Sequence, residues 1–246
     1  MVMSRRIRSM NTNGRTYTIR TIVRKIKTMN EIDGRRVRGD ASRRIVLTSA
    51  ADLASVEGLD GLSIGRLATA ANVSKSGVAT LFGTKERLQL ATVEAAAQRF
   101  REAVMLPARV EPRGIRRIAL LLDLWIAYSR DRVFPGGCFF AAAAADLDAK
   151  PGPVHDAVAR AFESWGEYVS VSLGYAIENG ELAAGTDPAQ LSFEVTALLD
   201  GANTRSVLAG SREPYVRARR ALVARLLAAG ADPEAVRQLS EGDDLA

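Results

Sequence analysis

From Ala41 to Ala229 apolar residues recur at three- and four-residue intervals, interrupted by short clusters of Gly, Pro, Asn and Asp. That is the period of helices which each bury one face. A first helix is predicted over Ala41–Glu57, with Val46, Ala50, Leu53 and Ala54 on one side and Gly58 as its left-handed stop. Ser63 caps a short second helix to about Ala70, and Ser74 caps a third through Leu81 or Phe82. Gly83-Thr84 breaks and recaps the chain, starting a fourth helix to about Met105.

Pro107 and Pro112 frame a joint at Leu106–Gly114. Beyond it Ile115, Ile118, Leu122, Trp125, Ile126 and Ser129 form the next stripe, and an Ala-rich helix follows over Cys138–Leu147 after the loop Asp131–Gly137. Lys150-Pro151-Gly152-Pro153 is a strong breaker. A helix of about 26 residues then carries Val154, Val158, Phe162, Trp165, Val169, Ser172 and Ala176 and stops at Asn179-Gly180. Asp187-Pro188, a cap followed by proline, opens a helix to about Gly210, and Pro214 opens the last long one, closed by Gly230. Glu241-Gly242-Asp243-Asp244 is an expected frayed end. The pattern is all-α, about nine helices, with strand-like alternation essentially absent after residue 40. Three parts are expected: an arm over 1–40, a first helical domain over 41–105, and a larger helical domain over 106–246.

The most specific local signal is Ser63–Phe82, SIGRLATAANVSKSGVATLF. Leu67, Ala71, Val73, Val78 and Leu81 fall where two crossing short helices share a core, with Ala68 small at their closest approach. Asn72 stands mid-turn, where a left-handed conformation is wanted and asparagine is the best choice after glycine. These spacings read as a helix-turn-helix, a structural helical hairpin being the plainer alternative. Its second helix opens with Ser74, Lys75, Ser76 and Gly77, short or cationic residues suited to a major-groove edge, and Thr80 lies one turn on. Ser63, Arg66 and Lys85 complete the candidate DNA-contacting set, with Lys85 placed to clamp a phosphate. Lys85-Glu86-Arg87 can equally be read as a solvated surface.

Ala41–Met105 resembles the N-terminal domain of the TetR family of transcriptional regulators. The likeness lies in ASRRIVLTSAADLASVEG and GLDGLSIGRLATAANVSKSGVATLFGTKERLQLATV, including Phe82 at the end of the third helix and Lys85-Glu86 opening the fourth. The stretch GGCFFAAAAADLDAKPGPVHDAV also resembles a subset of that family. The resemblance implies an all-helical homodimeric repressor whose C-terminal domain binds a small molecule and releases operator DNA. It also implies a four-helix dimer interface built from the last two long helices and their copies. One departure is plain: where the family usually carries an aromatic residue and, two positions on, a histidine, this chain has Ala79 and Leu81.

Charge is distributed unevenly. The chain is +6 overall, yet residues 1–40 hold 11 basic and three acidic side chains, while 41–106 are only +2 and the remainder is acidic. Residues 1–40 lack a helical period and read as a disordered basic arm, fit for DNA phosphates or a membrane surface. A start at Met29 or nearby, with the preceding residues an upstream artefact, is the other reading. No apolar run follows that would make a signal peptide, so a cytoplasmic protein is expected. The longest apolar run, the eight residues Cys138–Ala145, is far short of the roughly 20 that span a bilayer. A helical interaction module binding polyanions or a membrane surface through the arm is the alternative function.

One Cys and one His exclude a Cys/His metal cluster or an internal disulfide, and no cofactor is expected. None of the GxSxG, P-loop, GxGxxG or HExxH motifs occurs, so no enzymatic role is expected. His155 reads as a surface residue near a helix start and Cys138 as a small buried one. Asn72-Val73-Ser74 is a chance glycosylation match. Aromatic residues concentrate over 115–180, and Trp125, Tyr128, Phe162 and Trp165 are the candidate lining of a pocket for a largely apolar effector.

Overall fold

The computed structural model describes Ser9–Met10, Thr16–Tyr17 and residues 39–241. The first four form a short antiparallel pair, β1 (Ser9–Met10) and β2 (Thr16–Tyr17), with Ser9 opposite Tyr17. The expected disordered basic arm otherwise lies outside the described residues, as does most of the acidic end. The chain divides into two units, Met1–Ile45 and Val46–Ala246.

Ten α-helices follow among the described residues: α1 (39–57), α2 (Ile64–Ala70), α3 (Lys75–Phe82), α4 (Lys85–Phe100), α5 (Ile115–Arg130), α6 (Phe139–Leu147), α7 (Pro153–Glu178), α8 (Pro188–Ala209), α9 (Glu213–Ala228) and α10 (Arg237–Glu241). The tenth, short and preceded by a 3₁₀ turn over Pro233–Val236, is the one the hydrophobic pattern did not supply. It is held by tertiary contact: the buried guanidinium of Arg219 pairs with Asp123 on α5 and donates to the Leu239 carbonyl at 3.1 Å.

Helix ends follow local chemistry. Asp187 Oδ1 accepts from the N–H groups of Ala189 and Gln190, and Pro188, which has no N–H to satisfy, takes the first helical position of α8. α4 continues to Met105, but its last five residues are a π turn, in which Leu106 N–H bonds to the Arg101 carbonyl at 2.9 Å. Pro107, lacking an N–H, ends that helix and opens a 3₁₀ turn.

The core of the larger unit centres on α5, where Ile118, Leu121, Leu122, Trp125 and Ile126 are fully enclosed. α7 packs on α4, α6 and α8, and α8 packs along α9. A buried polar network locks α5, α8 and α9 together. Ser129 Oγ donates to Asn203 Oδ1 at 2.8 Å and lies 2.7 Å from the Tyr215 hydroxyl. Arg132 bridges Tyr215 and Ser206 from the loop after α5. Every member has a partner, so the network fixes the packing instead of destabilising it.

Candidate nucleic-acid interface and effector cavity

The helix-turn-helix is assembled by its caps. Ser63 Oγ accepts from Arg66 N–H at 3.3 Å, Ser74 Oγ from Gly77 N–H at 3.0 Å, and Thr84 Oγ1 from Arg87 N–H at 3.2 Å. Asn72 has φ 51°, the left-handed value the turn was expected to need. Leu67, Ala68, Ala71, Val78 and Phe82 are buried between the helices, with Val73 and Leu81 half-buried against them.

This packing leaves Ser74, Lys75, Ser76, Ala79 and Thr80 on one exposed face of α3, with Gly77 half-buried at its edge. Lys75 lies beside Gly65 and has no ion-pair partner among the described residues. Thr80 Oγ1 turns back to the Ser76 carbonyl at 2.8 Å, and Ser76 Oγ sits 3.2 Å from Ser74 Oγ. Arg66 forms a bidentate pair with Glu57 on α1. Lys85 is half-exposed but anchored, since its Nζ donates to the Asp60 carbonyl at 2.8 Å. Ala79, exposed, and Leu81, half-buried, carry no polar group where the resembling family has an aromatic residue and histidine.

α4 leaves this unit immediately. One glycine, Gly83, separates α3 from the α4 cap at Thr84, and from Leu90, five residues into the helix, to Met105 the same helix forms a cavity wall. The cavity, about 390 Å³, lies among α4, α5, α6, α7 and α8. Trp125, Phe162 and Trp165 line it together with Phe100, Phe140 and Cys138. Tyr128 stands behind the wall: it packs edge-on against Phe100 at 5.2 Å, and its hydroxyl accepts from Phe139 N–H. Burial holds the Tyr128 phenol well above its usual pKa and pushes the Cys138 thiol up to about 11, so both are neutral near pH 7.

The aromatic stripe did not point to Asp200. It projects from α8 into the cavity lining, half-buried, and burial alone raises its carboxyl to about 6. Its neighbours Leu199 and Ala202 are core residues, and nothing local marks Asp200 as facing a cavity rather than solvent. His155 is partly exposed beside Asp156 and Cys138 is buried, the placements the sequence suggested.

Two sets of contacts join the cavity walls to α1 and to the loop that leads into α2. Arg99 on α4 donates to Asp52 on α1 at 2.7 Å and to the Val133 carbonyl, with its guanidinium 4.4 Å over the Phe134 ring. In the same loop Gly136 approaches α1 so closely that a Cβ would sit 1.8 Å from the Ser55 carbonyl oxygen, and its N–H donates to Ser55 Oγ. At the other end of α6, Asp146 and Lys150 engage Asp60 in the loop that leads into α2. Among the described residues there is no group of His, Cys, Asp and Glu placed to hold a metal ion, and no helix long and apolar enough to cross a membrane.

A helix-turn-helix mounted on a helical domain with an internal cavity defines a class of DNA-binding transcriptional regulators. Residues 114–222 match the family described as the tetracyclin repressor-like C-terminal domain. A TetR transcriptional regulator from Chloroflexus aurantiacus superposes with a TM-score of 0.70 at 25% identity, covering 75% of this chain and 93% of its own. One from Cytophaga hutchinsonii gives 0.70 at 18% identity, over 79% and 98%. AibR, solved with isovaleryl coenzyme A and operator DNA, gives 0.54 at 17% identity, over 66% and 86%. No curated protein matches the sequence. The fold is that of TetR-family transcriptional regulators, and the likeness in sequence to that family falls on residues 114–222.

Proposed function

We propose that the protein is a homodimeric repressor, released from its operator by a small, largely apolar molecule bound in the 390 Å³ cavity. The observation that carries this reading is the course of α4. Only two residues separate it from α3, and from its second turn onward it supplies Leu90, Val93, Ala97, Phe100, Arg101 and Met105 to the cavity lining. A molecule that needs more room between α4 and α7 moves α4, and α3 moves with it.

In the DNA-bound state α3 enters the major groove, with Lys75, Ser76, Gly77 and Thr80 on the bases and nearby phosphates. Ser63 and Arg66 on α2 and Lys85 on α4 flank the backbone. Arg66 contributes less than its charge suggests because Glu57 already holds it.

Pairing of two copies runs through α8 and α9. Their outward side exposes Phe193 (68%), Leu208 (82%), Val207 and Leu227, an apolar surface that a single chain leaves in water. Gly201 and Ala202 on α8 and Ala218 and Ala221 on α9 line a groove there, small enough for close helix approach. Two-fold pairing sets the two copies of α3 about 34–36 Å apart on one face of DNA. Because that spacing is fixed by the duplex, a shift of α4 by a few ångströms pulls several side chains off their phosphates together. AibR, with the same fold, was solved with both a small molecule and operator DNA, which supports a two-ligand reading.

An electrophoretic mobility-shift assay with DNA flanking the gene tests the proposal. A discrete complex that survives excess competitor DNA, and that Lys75→Ala weakens, is expected. Retention of any polyanion alike, declining uniformly with salt, would instead assign binding to the arm alone.

A further inference from the structure

Asp200 is an acid among apolar walls. It shares the cavity lining with Phe100, Trp125, Phe162 and Trp165, yet no cation or hydrogen-bond donor of the protein reaches it among the described residues. The charged groups that face the same space are Glu94 and Arg101 from α4 and Arg160 from α7, all exposed; Arg101 is engaged with Gln98 at 3.0 Å. A carboxylate without a partner in such surroundings is unfavourable, and a ligand that supplies the missing positive charge is rewarded more there than in water. The aromatic lining adds to the preference, because ring faces attract ammonium groups. Carboxylates and phosphates meet repulsion from the same group.

We propose that the cavity takes a cationic amphiphile, an apolar, ring-bearing body among Phe100, Trp125, Phe162 and Trp165 with its protonated amine against the Asp200 carboxylate. This rests on the reading of the cavity as the effector site and narrows the class of effector. A raised carboxyl at about 6 still leaves Asp200 mostly ionised at pH 7 and able to hold an ammonium ion.

The protein carries its own reporter, since its two tryptophans are Trp125 and Trp165, both in the lining. Quenching of their fluorescence is titrated with phenylbutylamine, phenylbutanol and phenylbutyrate, which share one apolar body and differ in charge. The amine is expected to bind at least about tenfold tighter than the alcohol, with the carboxylate weakest. Asp200→Asn is expected to bring the amine down to the level of the alcohol while leaving the alcohol unchanged, which also reports that the variant is folded. Equal binding of alcohol and amine, an amine preference that persists in Asp200→Asn, or no saturable quenching by any of the three into the millimolar range would overturn the proposal. Release of bound DNA is followed in parallel. If the amine binds with the stated preference and DNA stays bound, the amine site stands and the effector reading falls. If the alcohol or carboxylate releases DNA and the amine does not, the effector reading stands and the charge assignment falls.

Discussion

The carboxylate of Asp146, near the end of α6, accepts a hydrogen bond from the backbone N–H of Asp60 at 3.0 Å, 86 residues away in the chain. Lys150 closes the cluster, donating to Asp60 Oδ2 at 2.8 Å and Asp146 Oδ1 at 2.9 Å. Gly58 makes room for it, since a Cβ there would lie 2.7 Å from Asp146 Oδ2. A helix that lines the cavity therefore grips the loop leading into the helix-turn-helix. Asp146→Ala is expected to destabilise the fold by about 1–2 kcal/mol in urea unfolding. In DNA-binding titrations it is also expected to shrink the ratio of affinities without and with effector. Unchanged effector response with the expected loss of stability would make the cluster structural only.

Acid acts on the same cluster. The hydrogen bond from Lys150, first, and then its charge hold the Asp60 carboxyl below its ordinary value, despite opposition from partial burial. A depressed folded-state pKa contributes stability at neutral pH that is lost as pH falls through the ordinary carboxylate range and below. Lys150→Met is expected to flatten that acid limb in a pH series of thermal melts.

At the helix-turn-helix the turn residue is decisive. Asn72 holds φ 51° where a β-branched side chain is strained. Asn72→Gly is expected to change stability by less than about 1 kcal/mol, and Asn72→Val to lose about 1–2 kcal/mol. Denaturant midpoints of the two variants check this, and a Val variant as stable as the Gly variant would contradict it.

Much of this architecture was readable in the chain because its causes are local. Ser63, Ser74, Thr84 and Asp187 each cap the helix their position announced, and Asn72 and Gly58 adopt the left-handed conformations expected of them. What needs tertiary contact was not readable. The partners of Arg99 and Asp146 lie 47 and 86 residues away, and no spacing announces them. Trp125 and Tyr128 fall on one stripe at neighbouring helical angles, yet one lines the cavity and the other stands behind Phe100. Nothing in the spacing along α8 sets Asp200 apart, because only the assembled bundle decides which helix edge faces a hollow.

Asp200 gives a second pH dependence, of opposite sign. Burial raises its folded-state carboxyl to about 6, from an ordinary 3.8. Its contribution is therefore fully present below the unfolded value and is lost as pH rises through about 6. Cys138, pushed up to about 11, does not titrate in that window. The stability of wild type relative to Asp200→Asn is expected to fall by about 2 kcal/mol between pH 4 and pH 8. A constant difference across that range would show that the carboxyl is not desolvated.

The basic arm makes a claim that salt can test. Residues 1–34 hold eight basic and two acidic side chains, whereas 41–106 are only +2. Deleting 1–34 is expected to make the dependence of log affinity on log salt shallower by about 0.9 for each phosphate the arm no longer neutralises, with sequence preference retained. An unchanged slope would remove the arm from the interface.

Whether two copies of α3 read DNA together is decided by selecting bound sequences from random DNA with the full-length protein. Enrichment of an inverted repeat is expected, its half-sites about one helical turn or a multiple of it apart, centre to centre, and Lys75→Ala is expected to weaken that enrichment. Recovery of no common sequence, or of a single unpaired half-site, would contradict a homodimer that reads DNA through two copies of α3.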